Sequence, residues 1–156
     1  MRSTRRACVT DCCATWNSEE VYLLDTNIVS ELRKPRADKR VKAWAAEVSP
    51  FDLFLSSITL LELETGVLRM ERRDRKQGAA LRHWLDGQVL PAFVDRILPV
   101  DTAVAMQCAR LHVPDRMADG DALIAATALV HGLIVVTRNS RDFEPAGVGL
   151  FDPWRA

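Results

Sequence analysis

No stretch of the 156 residues offers the roughly 20 consecutive apolar residues that a membrane-spanning helix needs, so no membrane partner is expected. Excess charge is missing too: 21 Lys and Arg meet 21 Asp and Glu. A strongly basic domain would announce nucleic acid by its overall charge; here any such partner has to be argued from local groups. Evenly spread cysteine is absent. Cys8, Cys12 and Cys13 crowd the first segment and only Cys108 lies in the body, so no disulfide framework is expected. With no histidine beside those three thiols, the spacing of a zinc site is lacking as well. There is no glycine-rich phosphate loop, which argues against a nucleotide-driven motor, and no internal repeat or low-complexity segment.

What is present is the balance of a globular protein: 48% apolar and 27% charged residues, on a chain long enough for one domain with a real core. A cytoplasmic protein is the expectation. Arg2, Arg5 and Arg6 precede no apolar stretch, so neither a secretory nor a twin-arginine signal is convincing. Residues 1–20 read as a flexible extension, and residues 21–156 as the domain. Regular patterning starts at Val21, where a valine codon would serve as a start.

From there short apolar runs alternate with longer amphipathic stretches, as in an α/β protein with a mostly parallel sheet flanked by helices. Strands are predicted at 21–24, 51–56, 97–100 and 133–136, with an edge strand at Leu150 and Phe151, giving four to five in all. Helices are predicted at 26–34, stopped by Pro35, at 38–48, 60–73 and 77–90, stopped by Pro91, at 102–113, and at 122–131 before Gly132. Leu81, Trp84, Leu85 and Val89 recur at helical spacing and read as core. The basic groups around 33–42 and 69–76 read as solvated helix faces, and His83, His112 and His131 share no ligand spacing.

Acids stand where strands end. Asp25 closes the first strand, Glu62 lies just beyond the second, and Asp121 opens the helix before the fourth. The crevice at the carboxyl ends of parallel strands is where open α/β sheets bind ligands. Each acid also has an innocent explanation: Thr59 and Glu62 have capping-box spacing, Asp121 suits a helix dipole, and Asp25 suits a cap. Their joint occurrence favours a site. Asn139, just after the fourth strand, would reach the same edge or form a turn, while Asp119 and Asp142 lie nearby and could assist but read rather as surface or capping acids.

Four motifs, in order and spacing, resemble the PIN-domain ribonuclease toxins of the VapC and FitB type: Leu23-Leu24-Asp25-Thr26-Asn27, Ser57-Ile58-Thr59-Leu60-Leu61-Glu62-Leu63 with Gly66, Asp121-Ala122-Leu123-Ile124-Ala125-Ala126-Thr127-Ala128, and Thr137-Arg138-Asn139. The resemblance spans nearly all of 21–154 and omits the tail. It implies a PIN-like fold and a magnesium-dependent endoribonuclease, the toxin of a type II toxin-antitoxin module, leaving a 5′ phosphate and a 3′ hydroxyl. It also implies a cognate antitoxin, gripped by the helices of about 60–90, and a homodimer. Asp25, Glu62 and Asp121 match the family's principal acids, and Asn139 takes a fourth place that many relatives fill with Asp.

Clustered carboxylates repel, and a divalent cation relieves them. Magnesium, or manganese in its stead, suits oxygen ligands and usually takes only one or two carboxylates. Asp25 and Asp121 are therefore expected to ligate directly, Glu62 to work through a metal-activated water, and Asn139 to hydrogen-bond a ligand or water. Arg138 and Arg141 are candidates for RNA phosphate, and Thr26, Asn27 and Thr137 for outer support. Two rivals remain. A phosphatase with Asp25 as nucleophile wants an acid where Asn27 stands; a non-catalytic PIN fold that only grips RNA or a partner is left open by Asn139.

Overall fold

The structure, a computed structural model, describes residues 20–156. The expected loose extension, with Cys8, Cys12 and Cys13, lies outside the described residues except for Glu20. In chain order the elements are β1 (Tyr22–Leu24), α1 (Thr26–Arg33), α2 (Lys39–Glu47), β2 (Leu53–Ser56), α3 (Ser57–Arg73), α4 (Arg75–Trp84), α5 (Leu90–Ala92), β3 (Ile97–Leu98), α6 (Thr102–Leu111), α7 (Asp119–His131), β4 (Ile134–Val136), α8 (Ser140–Phe143) and β5 (Leu150–Phe151).

Every residue of β1 is buried, because a strand in the middle of a sheet covered on both faces must hide all its side chains. The five strands run parallel in the order β3-β2-β1-β4-β5, with Leu24 level with Leu55 on one side and Val136 on the other. After β1 the chain builds outward through β2 and β3, then returns to build β4 and β5 on the opposite side. The order thus reverses between β1 and β4, and the crevice beyond their carboxyl ends is the position where such sheets take ligands.

Alternation along β1 divides the core. Tyr22 and Leu24 face a cluster with Ile28, Trp44, Leu63, Val67 and Leu85, whereas Leu23 faces Ile124, Ala125, Ala128 and Phe143. Helix α7 lies between the sheet and α6, which packs Ala122 and Ala126 against Val104 and Cys108. Burial on two sides is why that helix reads as apolar almost all round. Its end at Gly132, in the left-handed conformation with φ 67°, is where the sequence put it.

Pro91 does not stop its helix. Leu85–Val89 forms a π-turn, in which Leu90 N–H bonds back to Leu85 O, and helix resumes for Leu90–Ala92. The wider turn shifts the bonding register ahead of a residue that has no N–H to give, so the proline is carried rather than excluded. Val100 falls outside β3, and α8 was not predicted at all.

Candidate active site

Asp25 is the first residue after β1 and caps α1, accepting from Thr26 N–H at 2.7 Å. Its own N–H donates to Val136 O at 3.0 Å, which ties it to the end of β4. The carboxylate is buried, yet its Oδ2 accepts from Thr137 Oγ1 at 2.8 Å and from Asn27 Nδ2 at 2.8 Å. Asn27 also reaches Thr137 Oγ1 at 3.1 Å and accepts Arg138 N–H at 3.3 Å. Burial pushes the Asp25 carboxyl above its ordinary range; the bonds from Thr137, Thr26 and Asn27 hold it back, and the charge of Glu62 adds to the rise. Asn27 and Thr137, ranked only as outer support in the sequence, are the residues that fix this side chain.

The innocent explanation for Glu62 fails. Ser56, not Thr59, caps α3, receiving Ile58 N–H at 3.1 Å, and buried Thr59 donates its hydroxyl to Leu24 O at 3.3 Å. Glu62 is therefore in the second turn of α3 with no capping duty. Its carboxylate accepts the Thr26 hydroxyl, which brings it to the end of β1. Opposite, a Cβ built on Gly120 would come within 3.1 Å of Glu62 Oε1, so α7 also reaches this side chain.

Asp121, in the first turn of α7, is half-buried and has its pKa pushed up to about 6. Burial is the main cause, followed by the negative charges of Asp25, Asp142 and Glu62 in that order. Those charges raise it because all three carboxylates lie near enough to repel its ionised form. The sequence-predicted acids Asp25, Glu62 and Asp121 thus lie within electrostatic reach of one another at this edge of the sheet. Asp142, read in the sequence as a surface or capping acid, joins them from α8 and weighs on Asp121 more than Glu62 does. Its signal was the spacing of a short helix after β4, too brief to show a period. Asn139 stands at the head of that helix, exposed, with its N–H on Thr137 Oγ1 at 3.0 Å and no side-chain cap bond.

Asp119 turns away to Arg116 at 3.0 Å and lies 3.8 Å from His112, which keeps it a surface residue. Arg138 and Arg141 line a cleft of about 440 Å³ together with Asn139 and Asp142. Among the described residues no three or more His, Cys, Asp or Glu side chains are grouped closely enough, as they stand, to hold a metal ion together. The carboxylates at this edge present oxygen donors only, and two of them are pushed toward protonation, which is the condition a hard cation relieves.

Residues 22–147 match the family described as PIN domain. The chain belongs to that family. Within it, the chain is 37% identical over 139 residues to the VapC ribonuclease Y4jK of Sinorhizobium fredii, covering 86% of this chain and 98% of the relative. It is 39% identical over 139 residues to the toxin FitB of Neisseria gonorrhoeae, covering 86% and 99%. The crystal structure of FitAcB from Neisseria gonorrhoeae superposes with a TM-score of 0.81 at 38% identity, covering 87% of this chain and 100% of that one. The expected PIN fold and the resemblance to VapC and FitB toxins are therefore borne out. No helix among the described residues of this PIN domain is long and apolar enough to cross a membrane.

Proposed function

We propose that this PIN domain is a magnesium-dependent endoribonuclease, the toxin of a type II toxin-antitoxin module. The observation that carries this reading is the electrostatic meeting of Asp25, Glu62, Asp121 and Asp142 at the switch point of the sheet. The relatives named as a ribonuclease and a toxin support it.

Asp25 and Asp121 would hold the cation, Asp25 from a rigid, hydrogen-bonded seat and Asp121 from the first turn of α7. When bound, a divalent ion lowers the pKa of water and stabilises charge growing on a phosphoryl oxygen; manganese would serve as well. Glu62, exposed and oriented by Thr26, takes the proton of the attacking water. Asn139 hydrogen-bonds at the mouth, and Arg138 and Arg141 hold RNA phosphate from the adjoining cleft. The charge of Asp142 beside Asp121, where Asn139 has none to offer, supports the catalytic reading over the non-catalytic alternative.

An antitoxin and a second copy are the proposed partners. An apolar groove of about 580 Å³, lined by Leu32, Leu81, Trp84 and Phe93 among others, runs between α1, α4 and α5 and suits the apolar face of a partner helix. Leu61 and Leu68, two turns apart on α3, are 59% and 50% exposed and suit self-association.

The test is cleavage of a panel of structured RNAs by the purified protein with magnesium or manganese, beside Asp121→Asn and Glu62→Gln. Each substitution is expected to remove most cleavage, about 10²-fold or more, while the circular dichroism spectrum is kept. Equal cutting by all three proteins would overturn the reading.

A further inference from the structure

We propose that the C-terminal turn completes a single-stranded RNA track leading away from the cutting centre, with Arg155 as its outermost phosphate-holding residue. The inference rests on the nuclease reading above and extends it to a part of the chain beyond the matched residues 22–147.

The cleft that holds Arg138, Asn139, Arg141 and Asp142 is lined by Arg155 as well. Asp142 both lines this cleft and acts by its charge on Asp121, so the cleft adjoins the acidic edge of the sheet. Two successive returns of the chain at one sheet edge build it: the segment after β4 supplies Arg138 and Arg141, and the turn after β5 supplies Arg155.

That turn is fastened although it stands close to the chain end. Trp154 N–H donates to Asp152 Oδ1 at 3.0 Å, Arg155 N–H donates to Asp152 O at 3.1 Å, and the Arg40 guanidinium donates to Trp154 O at 2.6 Å. Pro153, within the turn, is buried. The Arg138 guanidinium lies over the Trp154 ring at 5.6 Å, a stacking that limits its freedom before any ligand arrives. Among the described residues the Arg155 side chain keeps one ion pair, Nε to Asp152 Oδ2 at 3.4 Å, and it is 84% exposed, so the outer N–H groups face solvent. Among the described residues neither Arg138 nor Arg141 forms an ion pair within 4.0 Å, and Glu144 is the other acid of the cleft besides Asp142.

Three guanidinium groups in one cleft, adjoining a phosphate-cutting centre, match a polyanion with regularly spaced phosphates, and the planar fork of arginine suits each phosphate. A single strand is the occupant to which the arrangement commits, because consecutive phosphates of one strand can be met by three guanidinium groups gathered in one cleft.

The experiment measures binding of a short single-stranded RNA to the full chain carrying Asp121→Asn, which prevents cutting, over a range of salt. Added Arg155→Ala is expected to weaken binding several-fold and to lower the slope of log K against log salt by about 0.7, the contribution of one phosphate contact on a single strand. Arg155→Lys keeps most of the slope. Arg72→Ala, ten residues and about 15 Å of helix beyond Glu62 on α3, changes neither quantity. If Arg155→Ala binds RNA with the parent's affinity and slope, the track is wrong and the nuclease reading stands. If, in addition, poly-glutamate binding to the parent is lost on Arg155→Ala, the cleft belongs to an acidic protein segment. If the wild-type chain neither binds nor cuts RNA, the nuclease reading fails and takes the track with it.

Discussion

Thr137 and Asp25 are 112 residues apart in the chain, and the hydroxyl of the first donates to the carboxylate of the second at 2.8 Å inside the protein. That bond spans β1 and β4 at the point where the strand order reverses. Thr137→Val keeps the shape and removes the donor, leaving Asp25 Oδ2 with Asn27 alone among the described side chains. Unfolding free energy is expected to fall by about 1–3 kcal/mol, and magnesium affinity and cleavage by about 10–100-fold. Thr137→Ser should keep both. Calorimetric magnesium titration and thermal unfolding on the three proteins read the outcome; a Val variant indistinguishable from wild type would show that Asp25 needs no such support.

Asp142 and Asn139 compete for the fourth position of the cluster. The electrostatics favour Asp142, whose charge acts directly on Asp121. Asp142→Asn is accordingly expected to lower cleavage by about tenfold or more, in the range of a residue that supports a metal site. Asn139→Ala should cost less, since that amide has no side-chain cap bond to lose. Initial rates at saturating magnesium decide it, and the reverse ranking would return the fourth place to Asn139.

Much of this site was legible in the sequence because it depends on strand ends. Val21 to Asp25 and Leu133 to Thr137 read as apolar runs stopped by polar residues, and acids there converge once the sheet is parallel. What the sequence does not display depends on short or shared geometry. Asp142 rides on a four-residue helix, where no period can show, and Thr59 has capping-box spacing while Ser56 does the capping. Pro91 looked like a stop because a π-turn leaves no mark on apolar spacing. Arg155 entered through a turn that follows a two-residue strand, again too short to be read from pattern alone.

Without a cation, Asp121 should make the fold pH-sensitive in a defined direction. Its folded pKa of about 6 stands above the ordinary 3.8, so folding takes up a proton between those values. The stability this contributes is fully present below about pH 4 and is lost as pH rises through about 6. Asp25, also raised, acts with the same sign. The cation-free protein is expected to melt at a lower temperature near pH 8 than near pH 5, and added magnesium to raise the melting temperature more at the higher pH. Asp121→Asn should flatten both trends. Scanning calorimetry with and without chelator checks this; a magnesium effect independent of pH would separate the cation from these carboxylates.

Gly120 sets stability against activity. It lies in the first turn of α7, where alanine is a better helix former by about 0.5–1 kcal/mol. The new Cβ would meet Glu62 Oε1 at 3.1 Å, a contact tight enough that the carboxylate has to move. Glu62 is exposed, so the fold can give way there at little cost, but the carboxylate that moves is the one proposed to take the proton of the attacking water. Gly120→Ala is therefore expected to melt at a slightly higher temperature than wild type and to cut RNA more slowly, with RNA affinity unchanged. Small displacements of catalytic groups are expensive in rate, on the order of 10²-fold for an ångström, and this one is a few tenths of that distance. A stabilised variant cutting at the full rate would mean that the position of Glu62 is not critical to the reaction, and the base would have to be sought among the other carboxylates.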